Sequence, residues 1–349
     1  MPKPLDIVMA DNSPFDGRTL HERPLGGAQA GFAYLAQALA AQGHRVRAFT
    51  GTNRTFDEDG IAWQPLATGT PATADLYIAN RASALIGLVP RARRRALWLR
   101  NPAQHLKKPK FLVPLARWRP TLVVTGDYHA STVPGWVPRS GLVKIPHGTD
   151  AAFQRGEPRA APPPKRAIMT SSPERGLEWL VEIWTARVQP RVPDAELRVF
   201  SGALTYGGRK AERMAAIVAR ARHVAGDAVD FREPVARGQL VRELAEGRLM
   251  AYPGDPGETF CQAAAEAQAM GVPLVTRPIG ALPERLDDGL SGFVVADAES
   301  FAEACVRLLR DDDLWHAHHR AALVSERWWD WGEAARAFAD LATPAGAAG

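Results

Sequence analysis

Tyr252-Pro-Gly-Asp-Pro-Gly257-Glu258-Thr-Phe-Cys261-Gln-Ala-Ala-Ala-Glu266-Ala-Gln-Ala-Met270-Gly-Val-Pro-Leu-Val-Thr276-Arg-Pro-Ile-Gly280-Ala-Leu-Pro-Glu284 reads as a loop, a helix and a strand in that order. Pro and Gly punctuate the chain to Gly257. The alanines that follow favour a helix to about Met270, Gly271 stops it, and Pro273 to Thr276 is a short apolar strand. The pattern predicts Glu258 at the mouth of the helix and Glu266 eight residues on. At helical geometry that is a separation of roughly 12 Å on neighbouring faces, about the span of a sugar–diphosphate–ribose unit. Between them, the N–H groups of Thr259, Phe260 and Cys261 are predicted at the positive end of the helix dipole, where a phosphate or sugar oxygen is held. A Glu in a first turn is favoured by the dipole alone, but Glu266 lies among small and apolar residues, which a solvated face does not explain.

Outward from this stretch the chain alternates strands and helices. Leu5 to Ala10 is an apolar run, Asp11 to Pro24 a loop, Leu25 to about Gln42 a helix, and Gly43 to Thr50 a turn and second strand. That is a β–loop–α–β unit of a parallel sheet. Gly26 and Gly27 stand where loop becomes helix, so backbone there can approach a phosphate with no Cβ in the way. The long loop lacks the G-x-G-x-x-G of a dinucleotide-binding turn, which argues against a hydride-transfer enzyme. Further strands are predicted at Asp75–Ala79, Ala96–Leu99, Thr121–Thr125 and Leu142–Ile145. Ligands of such sheets gather beyond the strands' carboxyl ends, which singles out Arg100, Asn101, Gly126 and Asp127. Gly156 to Lys165, with four prolines, reads as a linker. Arg166 to Leu180 then repeats strand, tight loop and helix, with Ser171 or Ser172 and Arg175 at the loop. Strands at Leu197, Val229 and Leu249 follow, with helices near 209–222 and 235–246 between them, then a helix over Ala298–Arg310 and a Trp/His-rich tail.

The expected fold is therefore α/β, with two doubly wound parallel-sheet domains facing a central cleft. The first takes residues 1–155 and is completed by a C-terminal helix at about 326–343; the second takes 165–325. A length of 349 residues suits two domains, and 46% hydrophobic with 23% charged residues is ordinary for a globular protein. No apolar run approaches the roughly 20 residues that span a bilayer, and Met1 to Ala10 runs into a strand, so a cytoplasmic chain is expected. Cys261 and Cys305 provide neither a disulfide framework nor a metal cluster. The formal charge of +5 concentrates in runs such as Arg91-Ala-Arg-Arg-Arg95 and Lys107-Lys-Pro-Lys110, a surface suited to anionic lipid or an anionic acceptor, or simply a solvated basic face. No nucleic-acid recognition motif accompanies it.

The run Gly257 to Cys261, the second acid at Glu266, Met270-Gly-Val-Pro-Leu-Val275, and Gly280 with Glu284 resemble the donor-site signature of family 4 of the retaining glycosyltransferases, enzymes of the GT-B fold. Matches in order and spacing extend from about residue 5 to residue 295. The resemblance implies a nucleotide-diphosphate-sugar donor and a saccharide or lipid-linked acceptor hydroxyl, with front-face attack and retention of configuration. No metal or other cofactor, and no nucleic acid, is expected. It implies polysaccharide or glycoconjugate synthesis, in the cytoplasm or peripherally on the inner face of the membrane. Among site residues it implies that Glu258 orients the sugar and Glu266 the ribose. Arg175-Gly176 is similar to the family's Lys-Gly pair on the diphosphate, and Glu258 and Arg175 are the residues expected to carry catalysis. Gly26, Gly27, Ser172, Thr259, Phe260 and Cys261 complete the expected donor site. Two departures stand out. Serine replaces the Arg that usually partners the Lys, and Arg100-Asn101 stands where relatives carry a His near the reacting carbon, with His105 nearby. Arg100, Asn101 and His105 are thus the expected sugar or acceptor contacts. The departures leave open a donor-binding partner subunit without turnover, and the fold a nucleotide-sugar epimerase.

Overall fold

The computed structural model describes residues 3–154, 157–202, 208–325 and 329–343. Gly156 at the start of the expected linker, Trp328 and the tail from Pro344 lie outside them. The chain divides into two compact units, one of residues 1–20, 26–148 and 329–349, the other of 21–25 and 149–328.

The first unit is built on an eight-stranded sheet. Its strands are β1 (Asp6–Ala10), β2 (Arg45–Thr50), β3 (Phe56–Glu58), β4 (Ile61–Pro65), β5 (Thr73–Asn80), β6 (Arg91–Trp98), β7 (Thr121–Val124) and β8 (Gly141–Lys144). They lie in the order β3-β4-β2-β1-β5-β6-β7-β8, parallel except for β3 against β4. The β3–β4 hairpin was not foreseen, although its Asp59-Gly60 turn, with φ of 52° and 77°, is the strongest short-range hairpin signal a sequence offers. Helices α1 (Thr19–Glu22), α2 (Gly27–Ala41), α3 (Pro109–Trp118) and α4 (Asp127–Ser131) belong to the same half of the chain. The core of this unit collects Val8, Tyr77, Leu97, Leu122 and Leu115.

A two-residue strand β9 (Gly148–Thr149) precedes the second sheet. That sheet has six parallel strands, β10 (Arg166–Thr170), β11 (Glu196–Phe200), β12 (Val229–Arg232), β13 (Leu249–Tyr252), β14 (Leu274–Thr276) and β15 (Gly292–Val294). Their order is β12-β11-β10-β13-β14-β15. The sequence from β10 runs outward to β11 and then reverses to β13, so the topological switch point lies between β10 and β13. Helices α5 (Leu177–Ile183), α6 (Gly208–Ala225), α7 (Arg237–Ala245), α8 (Gln262–Ala269), α9 (Ala298–Arg310) and α10 (Asp312–Leu323) complete the unit. The first part of the Trp/His-rich tail is α10, capped by the Asp311 carboxylate on Leu314 N–H.

The division of the chain differs from the expected boundary at the Pro-rich linker. Phe153 is fully buried in the core of the second unit, beside Ile168, Phe200 and Leu282, so the chain enters that unit before the linker is reached. The strand β16 (Trp329–Asp330) pairs with β9, and α11 (Trp331–Asp340) returns to the first unit, where it packs on α2. Asp330 and Glu333 form a reciprocal capping box at its start.

Candidate functional site

The ends of β10 and β13 and the loops leaving them at the switch point bring together five polar side chains. Ser171 follows β10, and its Oγ lies 3.1 Å from the Tyr252 hydroxyl at the end of β13. Tyr252 donates to Glu258 Oε2 at 2.8 Å. Arg175 Nη1 lies 3.6 Å from the same Glu258 oxygen and donates to Asp255 Oδ1 at 2.8 Å. Burial by itself lowers the Arg175 pKa, but Glu258, Tyr252 and Asp255 reverse the effect and the net shift is upward. Burial likewise drives the Tyr252 phenol well above its ordinary value, so it is a neutral donor.

Close backbone packing sets this geometry. Gly176 and Gly280 have positive φ of 89° and 60°. A Cβ on Gly280 would stand 2.5 Å from the Glu258 carbonyl, and one on Gly176 2.8 Å from Pro253 Cβ. Arg277 adds a brace, donating from Nε to Pro253 O at 3.1 Å while lying over the Trp179 ring.

The helix start differs from expectation. Helix α8 begins at Gln262, behind a left-handed Cys261 with φ of 67°, so Glu258 to Cys261 form a turn ahead of it. Helical propensity cannot see the cause: Glu258 N–H bonds Asp255 O and Ala281 N–H bonds Glu258 O, holding the turn out of helical register. The helical spacing between Glu258 and Glu266 therefore does not apply, and the amides at the positive helix end are those of Gln262 onward rather than of Thr259, Phe260 and Cys261. Phe260 is buried, with the Arg285 guanidinium 4.1 Å above its ring, and Cys261 is buried, with its thiol pKa pushed up by desolvation.

Glu266 is 2% exposed and takes both ends of the Arg237 guanidinium, one at 3.2 Å. Ser172, expected in the donor site, directs its hydroxyl to the Met214 sulfur, and its neighbour Ser171 joins the Tyr252–Glu258 group instead. Sequence reading missed Tyr252, Asp255, Arg237 and Arg277. The first two had a usable signal, since Tyr252 ends a predicted parallel strand and Asp255 sits just beyond it.

In the first unit, Gly26 caps α2 in extended conformation, and Gly27 is its first residue. Gly31, one turn on, makes room for Arg100: a Cβ there would lie 3.2 Å from Nη1. Arg100 lies over the Trp98 ring at 3.3 Å and donates to Asn80 Oδ1 at 3.0 Å and Ala28 O at 3.3 Å, with His147 Nε2 at the remaining edge. Asn80 in turn reaches the fully buried Asp11, which Arg81 grips through two nitrogens. The Asn101 side chain is exposed; its carbonyl accepts from His129 Nε2 at 3.0 Å. His105 bonds Pro102 O at 2.8 Å and packs edge-on against Phe111. His129, which sequence reading passed over, is the fully buried histidine of α4, the short helix after β7, and desolvation pushes its pKa down to about 4.

Residues 167–311 match the family model Glycosyl transferases group 1. The match covers most of the second unit, including the Arg175–Tyr252–Glu258 group. A D-inositol 3-phosphate glycosyltransferase of Streptomyces avermitilis is 32% identical over 190 residues, 48% of this chain and 40% of the relative. The matched stretch thus spans about two fifths of that relative's length. Among solved structures, the sucrose-phosphate synthase of Thermosynechococcus elongatus superposes with a TM-score of 0.75 at 18% identity, covering 96% of this chain and 97% of that one. Anabaena Alr3699/HepE, in complex with UDP-glucose, gives 0.71 at 13% identity over 96% and 98%. The fold is that of the GT-B glycosyltransferases, with two Rossmann-like domains.

Proposed function

We propose that this protein is a retaining glycosyltransferase of family 4 that moves a sugar from a nucleotide-diphosphate donor to a saccharide or lipid-linked hydroxyl, in polysaccharide or glycoconjugate synthesis. The observation that carries the proposal is the placement of Arg175, Tyr252 and Glu258 at the switch point of the sheet matched by the family model. As the glycosidic bond breaks, negative charge grows on the leaving diphosphate, and Arg175 is the cation that meets it. Glu258, fixed by Tyr252 and flanked by Arg175, accepts from sugar hydroxyls. The acceptor proton passes to the leaving phosphate, so the reaction needs neither a metal nor a covalent nucleophile. In the first unit, Arg100 acts by fixing the end of β6 and the first turn of α2.

A membrane surface is the proposed second partner. Between Asp75 and Asp127 the chain has eleven Lys and Arg and no acidic residue. Lys107, Lys108, Lys110, Arg117 and Arg119 are exposed, and none forms an ion pair among the described residues. Such a field favours the anionic inner leaflet, consistent with a cytoplasmic protein held peripherally.

The test is turnover of UDP-, GDP- and ADP-sugars with a panel of acceptors, reading the anomeric configuration of the product by NMR. Arg175→Ala is expected to lower kcat by about 100-fold with a smaller change in donor KM, as for loss of one preorganised donor to a transition-state anion. An inverted product removes the retaining assignment. Donor binding with no turnover under any acceptor returns the protein to a partner-subunit role, and donor conversion without acceptor to an epimerase.

A further inference from the structure

Glu266 is an ionisable side chain on α8 that is 2% exposed, a setting in which a carboxylate is costly to ionise unless paired. Its pair is Arg237, the first residue of α7, which meets it edge-on with two nitrogens on two oxygens. The flat face of the same guanidinium lies 4.6 Å over the ring of Phe153, which is itself fully buried. Arg237 is thereby fixed in both plane and direction, and it passes that constraint to Glu266.

The geometry has a chemical corollary. A bidentate guanidinium takes one lone pair from each carboxylate oxygen and leaves one on each. Two acceptors at the fixed spacing of one carboxylate suit two donors on adjacent carbons. The cis 2′,3′-diol of a ribose presents such a pair, whereas a single hydroxyl satisfies only half of it.

We propose that Arg237 is the positioning residue that holds Glu266 oriented as the reader of the ribose diol, so that the protein selects ribo- over deoxyribonucleotide donors through a residue outside the recognised signature. This rests on the donor reading above. Without Arg237, the carboxylate is free to turn, and the paired acceptor geometry is lost.

The experiment is calorimetric titration of the full chain with ADP, GDP and UDP and with their 2′-deoxy counterparts. The wild type is expected to bind at least one ribonucleotide about tenfold or more tighter than its deoxy form, as for one hydrogen bond to a charged group. Arg237→Met is expected to weaken the ribonucleotide about 10- to 100-fold, leave the deoxynucleotide within about threefold, and so collapse the ratio toward one. Glu266→Gln gives the same collapse, with no further loss in the double variant. Arg237→Lys, a conservative change that keeps charge but not the fork, gives an intermediate ratio and decides the matter should Arg237→Met fail to fold. An unchanged ratio in the folded variants, or an equal loss for both nucleotides, overturns the role of Arg237 while leaving the donor reading intact. Equal binding of ribo- and deoxynucleotide by the wild type does the same. Binding of none of the six overturns the donor reading and this inference with it.

Discussion

Tyr252 ends a strand that the sequence marks only as apolar, yet its hydroxyl is the link between Ser171 and Glu258. Several residues of this chain act in that way, through a partner remote in sequence. Arg100 is one. It was expected to touch ligand, but Asn80, Ala28, His147 and the Trp98 ring occupy its edges and face, so its work is to hold the carboxyl end of β6 in place. His129 is another, its Nε2 meeting Asn101 O and its Nδ1 meeting Thr125, while burial holds the ring neutral. With its pKa pushed down to about 4 in the fold, against about 6.5 unfolded, the unfolded chain binds the extra proton first as pH falls. Its contribution is therefore complete above about pH 6.5 and is lost as pH drops toward 4. The loss amounts to about 3 kcal/mol at most. Urea denaturation at pH 7 and pH 4.5 is expected to show a smaller acid loss for His129→Gln, which keeps a donor for Asn101 O without a titrating ring; an identical loss removes His129 as its source.

At the scale of elements, α8 shows why a correct helix assignment still misplaced a site. Alanine content predicts that a helix forms, but its first residue is decided by the left-handed Cys261 and the bonds of Glu258 to Asp255 and Ala281. Helix α3 makes the opposite case, since its sidedness was in the sequence but went unread. Phe111, Leu112, Leu115 and Trp118 pack inward on the first core, leaving Lys110, Val113 and Arg117 outward. With Lys107 and Lys108 just ahead, that outer face belongs to the acid-free stretch. If it meets a membrane electrostatically, vesicles containing about one-third phosphatidylserine should retain the protein at low salt and release it as ionic strength rises. Charge reversal of Lys107, Lys108 and Lys110 to Glu should abolish retention while leaving turnover of a soluble acceptor unchanged. Retention equal on neutral vesicles would remove the electrostatic account. Among the described residues no helix is long and apolar enough to cross a membrane.

At the scale of the whole molecule, each unit packs buried apolar clusters on its own sheet. A nucleotide bound by Arg175, Glu258 and Glu266 stabilises the unit that holds them by RT ln(1 + [L]/Kd), about 2.7 kcal/mol at 100 times Kd. Scanning calorimetry with saturating nucleoside diphosphate should therefore raise the transition of the second unit, moving a transition of the first, where one is separately seen, by less. A shift confined to the first unit would place the nucleotide elsewhere.

By itself the sequence determined the alternation of strand and helix, the two parallel sheets and the importance of the stretch around Glu258, because periodicity, glycine stops and β-rich apolar runs are local properties of the chain. Tertiary structure alone decided where α8 starts, which serine faces Tyr252, and that Glu266 is held by Arg237. It also carried Phe153 into the second core ahead of the Pro-rich linker. Those outcomes depend on hydrogen bonds and buried charges between residues distant in sequence, and on backbone contacts at Gly176 and Gly280 that come into being only when the loops after β10 and β14 close on the loop after β13.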